Sequence, residues 1–400
     1  MIAELIIISK EKFTAVDGGI VVVLLFGLLY TGSRTVFVLL VISNLVMLFC
    51  GKSRLAKALI LIGIAVIIII ALYGIMHNGI GAFSRFLTIS LKESTFLGRL
   101  LYLQDAVPVV LKRPFGLGYM GYYYIQQEIQ TGVYAVRFAH NDFLQILLDI
   151  GWLPFLLFLT AIIKTVCSKR VPIYKKIILC VISLHCCFDF DMQFVALFFV
   201  FLLFTEYDTG KEYIVNNRGA WCTVSMIAAS ICLYCGIALI FSQLGRSDIA
   251  GEMYPWNTEN EIILLTEAKN ITEANKIADD IISRNTHVQI AYSAKARYYF
   301  SKGDFGSLIE CKNQIFEKAP FAYEEYEEYC YMLIHGITLY EQAGDMHSAE
   351  ICKKELLSTK EKVEGAENRL SKLGRMIHDQ PITRLPEEIT DYIVKIEEGK

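Results

Sequence analysis

The sequence has no excess of positive charge. Across 400 residues, 38 lysines and arginines stand against 41 aspartates and glutamates, a formal net charge of −3. That excludes the polycationic surface on which nucleic acid binds. The opening residues MIAELIIISKEK lack the order of basic, apolar and small residues expected of a cleaved signal. A zinc-finger cysteine pattern is lacking too. Cys232 and Cys235 form a CxxC inside an apolar run, without the second ligand pair that such a site needs. Eight of the eleven cysteines lie in or beside apolar runs and read as small packing residues, while Cys311, Cys330 and Cys352 fall in a more polar region.

What is present is apolar and unevenly spread. The chain is 54% hydrophobic, with a mean hydropathy of +0.43, too apolar for an ordinary soluble protein. Long uncharged runs crowd residues 1–242, and the remainder is charged and rich in tyrosine. The expected fold is all-α: a polytopic transmembrane helix bundle over 1–242, followed by a soluble α-helical repeat domain. Candidate spans are 14–30, 35–50, 55–76, 143–166, 174–188, 192–206 and 220–242, about seven, several of them short for a 20-residue crossing.

Basic residues orient these spans. Lys52, Arg54 and Lys57 follow the second; Lys164, Lys169, Arg170, Lys175 and Lys176 flank the connection from the fourth to the fifth; Lys211 and Arg218 precede the seventh. Placing all three connections in the cytoplasm gives one consistent alternation. Residues 77–142, the FDFD turn at 188–191, the chain after 242 and Arg34 then lie on the outer face. The expected location is the cell membrane, multi-pass, with an extracytoplasmic C-terminal domain.

The outer loop 77–142 is the longest connection between spans, and loops of this length are usually functional. Ser94 or Thr95 starts a helix on which Arg99, Tyr102 and Ala106 share a face. Pro108 and Pro114 punctuate the stretch after it. RPFGLGYMGYYY then offers Gly116, Gly118 and Gly121 for tight backbone approach, but they follow no strand, which argues against nucleotide binding. Its tyrosines suit either interfacial anchoring or stacking on sugars, with anchoring the simpler reading. RFAHNDFLQILLDIGW, 137–152, closes the loop. Asn141 or Asp142 can cap the fourth span, and Arg137 lies one helical turn before His140. Position alone favours an interfacial histidine over a catalytic one.

These residues resemble the O-antigen ligase and O-antigen polymerase superfamily, membrane enzymes that transfer lipid-linked glycans. Four stretches carry the resemblance, over about residues 20–206: TGSR at 31–34, GRLLYLQDAVPVVLKRPFGLGYMGY at 98–122, AHNDFLQILLDIGWLPFLLF at 139–158, and LHCCFDFDMQFVALFFVFLLF at 184–204. Two departures stand out. Family members have more spans, which would precede residue 1 of a truncated, split or shorter variant. Asp149 stands where the family often has glutamate.

The resemblance implies transfer of a glycan from a polyprenyl-pyrophosphate carrier to an acceptor hydroxyl on a glycan or lipid. Cations must be preplaced against the leaving pyrophosphate; Arg34, Arg99 and Arg137 are the candidates, since a guanidinium binds phosphate oxygens bidentately. His140 is the candidate general base, histidine being the residue type that titrates near neutral pH. Asp142 and Asp189 are supporting candidates; Asp189 either marks a solvent-facing turn or pairs with an arginine of the site. His185 is expected to pack in the bundle. No acidic pair in the outer loop has a metal-ligand pattern, so the expected transfer uses no metal and no cofactor. Membrane lipids surround the bundle.

Residues 250–360 fit the tetratricopeptide pattern. Ala296, Tyr299, Gly303, Phe305, Leu308, Ile315 and Pro320 fall at positions that pack one helix pair. Ala274 and Ile281 precede Leu308 and Ile315 by one period of about 34 residues. Gly344, Asp345, Ala349 and Leu356 suggest a further unit, and such repeats bind a protein or glycan partner more often than they catalyse. Residues 361–400 read as a charged capping helix and then a tail around Pro381 and Pro386. The rival reading is a non-enzymatic transporter or scaffold whose repeats recruit a partner. A transporter would favour ionisable residues at mid-depth in several spans, whereas here they gather at span ends.

Overall fold

The computed structural model describes residues 1–51, 53–76, 94–206, 218–377 and 384–398. Every regular element among the described residues is helical. The chain divides into two units, Met1–Tyr123 with Val136–Glu212, and Tyr124–Ala135 with Tyr213–Lys400.

The first unit holds α1 (Ile2–Ile8), α2 (Ala15–Tyr30), α3 (Arg34–Cys50), α4 (Arg54–Met76), α5 (Ser94–Lys112), the start of α6 (Gly121–Ile129), α7 (Asp142–Ile150), α8 (Trp152–Cys167), α9 (Ile173–Cys186) and α10 (Val195–Phe204). Local chemistry sets several starts. Thr14 and Asp17 exchange bonds as a capping box, Thr14 N–H donating to Asp17 Oδ2 at 2.9 Å and Asp17 N–H to Thr14 Oγ1 at 3.3 Å. Ser33 Oγ caps α3 by accepting from Val36 N–H at 3.4 Å. Leu5, Met47, Ile60, Ile162, Ile178, Ile182 and Phe201 form the shared core.

Among the described residues one helix, Arg218–Gln243, is long and apolar enough to cross a membrane; Ala15–Leu28, Arg34–Cys50, Trp152–Cys167 and Val195–Phe204 are apolar but shorter. Exposed apolar side chains run along α2, α4, α8 and α10, among them Val23, Phe26, Ile62, Leu153, Leu157 and Leu203. Contiguous apolar exposure of this kind is a surface for lipid or protein rather than for water.

Two expected spans differ from single helices. The 143–166 segment breaks at Gly151 into α7 and α8, because Gly151 adopts φ +82° and its N–H still bonds back to Ile146 and Leu147. The 192–206 segment opens with a 3-10 turn, Asp191–Gln193, before the ten-residue α10. Pro108 does not punctuate the outer loop, since it sits inside α5, which runs on to Lys112. Lys52, Lys211 and the loop's first part, 77–93, lie outside the described residues.

The second unit holds α11 (Arg218–Gln243), α12 (Ser247–Met253), α13 (Thr258–Thr266), α14 (Ile271–Arg284), α15 (Gln289–Lys302), α16 (Phe305–Lys318), α17 (Tyr323–Ala343), α18 (Met346–Asn368), α19 (Lys372–Met376) and α20 (Glu387–Glu397). From α14 to α18 successive helices pack on one another. Ala296, Leu308, Ile315, Ala349, Leu356 and Ile281, picked out by spacing, are fully buried. One turn recurs. Gly303 and Gly344 both close a helix in the left-handed conformation. Asp304 and Asp345 then cap the next helix, each accepting from a serine N–H three residues on at 3.1 Å. Lys312 is wholly buried and bonds Glu325 Oε2 at 2.6 Å and Glu328 Oε2 at 2.7 Å.

Packing redraws the expected boundaries. Residues 124–135 come from the outer loop yet belong to the second unit. Tyr124 packs beside Ala278 and Ile281, Glu128 meets His287 Nδ1 at 2.9 Å, and Thr131 O accepts from Ser371 N–H at 2.8 Å. The apolar α11 groups with the second unit as well. The charged C-terminal stretch does not trail off after Pro386: Ile389 and Ile393 of α20 are buried in one core with Leu308, Leu333 and Leu356. Pro381 lies outside the described residues.

Candidate functional site

The site is built on the first turn of α7. Asn141 is the cap, its Oδ1 accepting from Leu144 N–H at 2.9 Å, while its Nδ2 donates to Cys187 O at 3.0 Å. One amide thus starts the helix and fastens it to the end of α9. Ala139 N–H donates to Gln145 Oε1 at 3.0 Å, and Gln145 Nε2 donates to Asp149 Oδ1 at 2.9 Å. Asp149, the shortened acid, holds a neighbour in place. Between these anchors His140 adopts φ +49°, a conformation uncommon outside glycine.

The glycine turn supports this from behind. A Cβ on Gly116 would come within 2.6 Å of Asp149 O, and one on Gly151 would collide with Pro114 O. The close approach lets Leu117 N–H donate to Leu148 O at 2.6 Å, Gly118 N–H to Asp149 O at 3.0 Å, and Trp152 N–H to Pro114 O at 3.0 Å. Carbonyls freed at the end of α7 are thereby satisfied. Of the tyrosines in this stretch, Tyr122 is fully buried and so is a core residue rather than an anchor or platform, while Tyr119 is exposed.

His140 Nδ1 lies 3.3 Å from Asp189 Oδ1, and Arg99 Nη2 lies 3.9 Å from Asp189 Oδ2. Asp189 Oδ1 also accepts from Phe190 N–H at 3.1 Å. Phe190 sets its edge against the imidazole at 4.9 Å between centroids, and the Tyr102 ring lies 6.0 Å away. All three polar side chains keep about a third of their surface open: 28% for His140, 34% for Asp189 and 30% for Arg99. Burial alone would raise the Asp189 carboxyl. The bonds from His140 and Phe190 N–H and the charge of Arg99 outweigh it and hold the group below its ordinary range.

Of the residues expected from sequence, His140, Asp189 and Arg99 therefore come together. Ser33, beside Arg34 at the start of α3, lines the same groove as Asp189. Arg137 is exposed, just before His140. Asp142 departs from its expected capping role. It is 1% exposed and turned inward, its Oδ2 accepting from Met192 N–H at 3.1 Å. His185, expected to pack in the bundle, is half-buried, with Nδ1 2.5 Å from Asp191 Oδ2, and it also lines the groove.

The groove is shallow and open, with a volume of about 530 Å³. Val23, Leu24 and Leu28 make one wall apolar, and Ser33, His185 and Asp189 supply a polar end. Among the described residues one group has the make-up of a metal site: Asp142, Cys186 and Asp191, with ligand atoms all within 4.8 Å of one another. Spacing along the chain does not reveal this group, because its residues come from two distant segments. Gln145 was also missed. It sits mid-helix with no motif around it, and only its two bonds reveal its part.

Residues 19–159 match the family model described as O-antigen ligase. The match supports a glycan-handling membrane protein of the ligase or polymerase type. It begins inside α2, takes in α3, α5 and His140 and ends inside α8, before Asp189. No curated protein and no solved structure matches the chain.

Proposed function

We propose that this protein is a polytopic membrane glycan ligase or polymerase that moves a glycan from a polyprenyl-pyrophosphate carrier to an acceptor hydroxyl at the outer membrane face. The observation that carries this reading is the His140–Asp189–Arg99 cluster together with a groove that is apolar along α2 and ends in polar groups at Asp189. A polyprenyl tail suits the apolar wall, and Arg99, which faces Asp189 at the other end, is the cation that offsets its carboxylate and meets a pyrophosphate there.

Each task of the step has a side chain. Asp189 takes the Nδ1 proton of His140 in a hydrogen bond, leaving Nε2 as the base for the acceptor hydroxyl. The hydroxyl oxygen then bonds to the anomeric carbon of the donor, and the bond from that carbon to the pyrophosphate oxygen breaks. The electron pair leaves on the pyrophosphate, whose growing charge Arg99 meets, with Arg34 and Arg137 as further cations. The hydroxyl proton ends on His140, where Asp189 balances its charge. The step is drawn with the chain's own groups and needs no metal.

The second unit's helical hairpins, spaced as in tetratricopeptide repeats, are assigned to binding an acceptor or a protein partner on the outer face. Residues 124–135 support that side, since they belong both to the His140 loop and to the second unit. A reporter active only in the cytoplasm, fused after Lys400, should stay silent; strong activity would reverse this topology.

The reading is tested by comparing envelope glycans with and without the gene, and by supplying membranes with a polyprenyl-pyrophosphate glycan. Loss of one glycan linkage without the gene, and gene-dependent release of the carrier pyrophosphate, are expected. An unchanged glycan profile together with an unconsumed donor would point to the scaffold or transporter reading.

A further inference from the structure

We propose that Asp142, Cys186 and Asp191 bind one zinc ion, which clasps the start of α7 to the junction of α9 with the turn after it. This site is independent of the transfer reading, since none of these three residues carries a proposed step.

The ligands are of mixed type and already gathered. One carboxylate oxygen from each aspartate and the Cys186 sulfur lie within 4.8 Å of one another. Tetrahedral zinc, with bonds of roughly 2.0–2.3 Å, needs its ligand atoms roughly 3.3–3.7 Å apart, so closure asks for a shift of up to about 1.5 Å. Asp142 and Cys186 are each 1% exposed. Asp191 keeps 13% of its side-chain surface, which leaves an entry path.

A second observation points to a cation. Asp142 Oδ2 is satisfied by Met192 N–H, but Oδ1 is buried with no donor in hydrogen-bond geometry, the Cys186 thiol and Asp191 N–H being its polar neighbours. A buried carboxylate oxygen without a donor costs free energy, and here it belongs to a group that faces a second carboxylate and a thiol. A cation relieves all three. Sulfur in the set favours zinc over magnesium or calcium. His185 Nδ1, 2.5 Å from Asp191 Oδ2, is the outer group that orients a ligating carboxylate.

The consequence is positional. Asp142 follows Asn141, which bonds Cys187 O, and His140 lies just before both. Zinc would lock α7 to α9 at the place where the His140 loop is pinned.

The test uses the full chain purified in detergent, stripped of metal and then titrated with zinc. About one zinc per chain, a higher thermal midpoint with zinc, and a near-ultraviolet thiolate charge-transfer band with cobalt are expected. Cys186→Ala and Asp142→Asn should each weaken zinc binding by roughly tenfold or more and remove the thermal response. Cys186→Asp, which keeps a ligand and guards against a folding defect in the alanine variant, should still bind zinc and lose only the cobalt band. Wild-type protein that binds well under one zinc per chain overturns the proposal, and so does equal zinc binding by Cys186→Ala.

Discussion

His140 and Asp189 stand 49 residues apart in sequence, and their side chains meet at 3.3 Å. One comes from the loop before α7 and the other from the turn after α9. Charge counting predicts that both connections lie on one side of the membrane, and their contact agrees with a shared side. The same carboxylate faces Arg99, so Asp189 orients the proposed base and the proposed phosphate-binding cation together.

Asp189→Asn should therefore lower transfer by roughly 10²-fold or more, because the amide can fix the wrong imidazole tautomer. It should also flatten the acid limb of stability. Asp189 is held below the ordinary carboxylate range, so the stabilisation it provides is present above the unfolded value of about 3.9. It is lost as pH falls through the lower folded value. The wild-type thermal midpoint should drop on acidification below about pH 4 by more than that of the variant; parallel curves would show that Asp189 is not paired in solution.

Arg99→Lys keeps the charge but loses the planar fork. Transfer should fall by on the order of tenfold while the protein inserts at normal levels. A wild-type rate would remove Arg99 from pyrophosphate binding. Steady-state assays over a range of donor concentrations would show where the loss falls.

Gly151→Ala places a Cβ against Pro114 O in a residue at φ +82°. Strain alone should cost about 1–3 kcal/mol, and the backbone collision adds to it. Denaturant unfolding in detergent should show the loss. Gly236→Ala, where a Cβ meets nothing within 4 Å, is the matched control and should unfold like the wild type.

In the second unit, Lys312→Ala leaves Glu325 and Glu328 facing each other without their buried partner. Removing one member of a buried pair costs about 3–5 kcal/mol. Helical signal of the full chain should be lost at lower denaturant, with Arg297, which also bonds Glu328, only partly compensating. Unchanged unfolding would mean that water reaches this network.

Much of this was legible in the sequence. Apolar runs predicted α2, α3, α4 and α9, and the spacing that singled out Ala296, Leu308, Ile315, Ala349 and Leu356 picked residues that are fully buried. Arg99 and Tyr102 were placed on one helical face; Arg99 meets Asp189 and the Tyr102 ring stands near His140. Other features were not legible, for physical reasons. The break at Gly151 depends on a backbone approach from Pro114, which no local pattern encodes. Asp142 has the residue type of a cap, but Asn141 takes that place and the carboxylate turns inward to a partner 50 residues away. The left-handed backbone of His140 is held by bonds at Ala139 and Asn141. Residues 124–135 leave their loop for the second unit because Tyr124 finds its apolar neighbours there.

The central claim is that His140 is the base of a glycan transfer. Its most direct measurement is transfer by His140→Ala in membranes supplied with a defined polyprenyl-pyrophosphate glycan, with insertion and thermal midpoint checked alongside. A general base predicts a fall of roughly 10²–10⁴-fold at normal expression and stability. Transfer near the wild-type rate by a well-folded His140→Ala protein would contradict it and leave the histidine an interfacial residue.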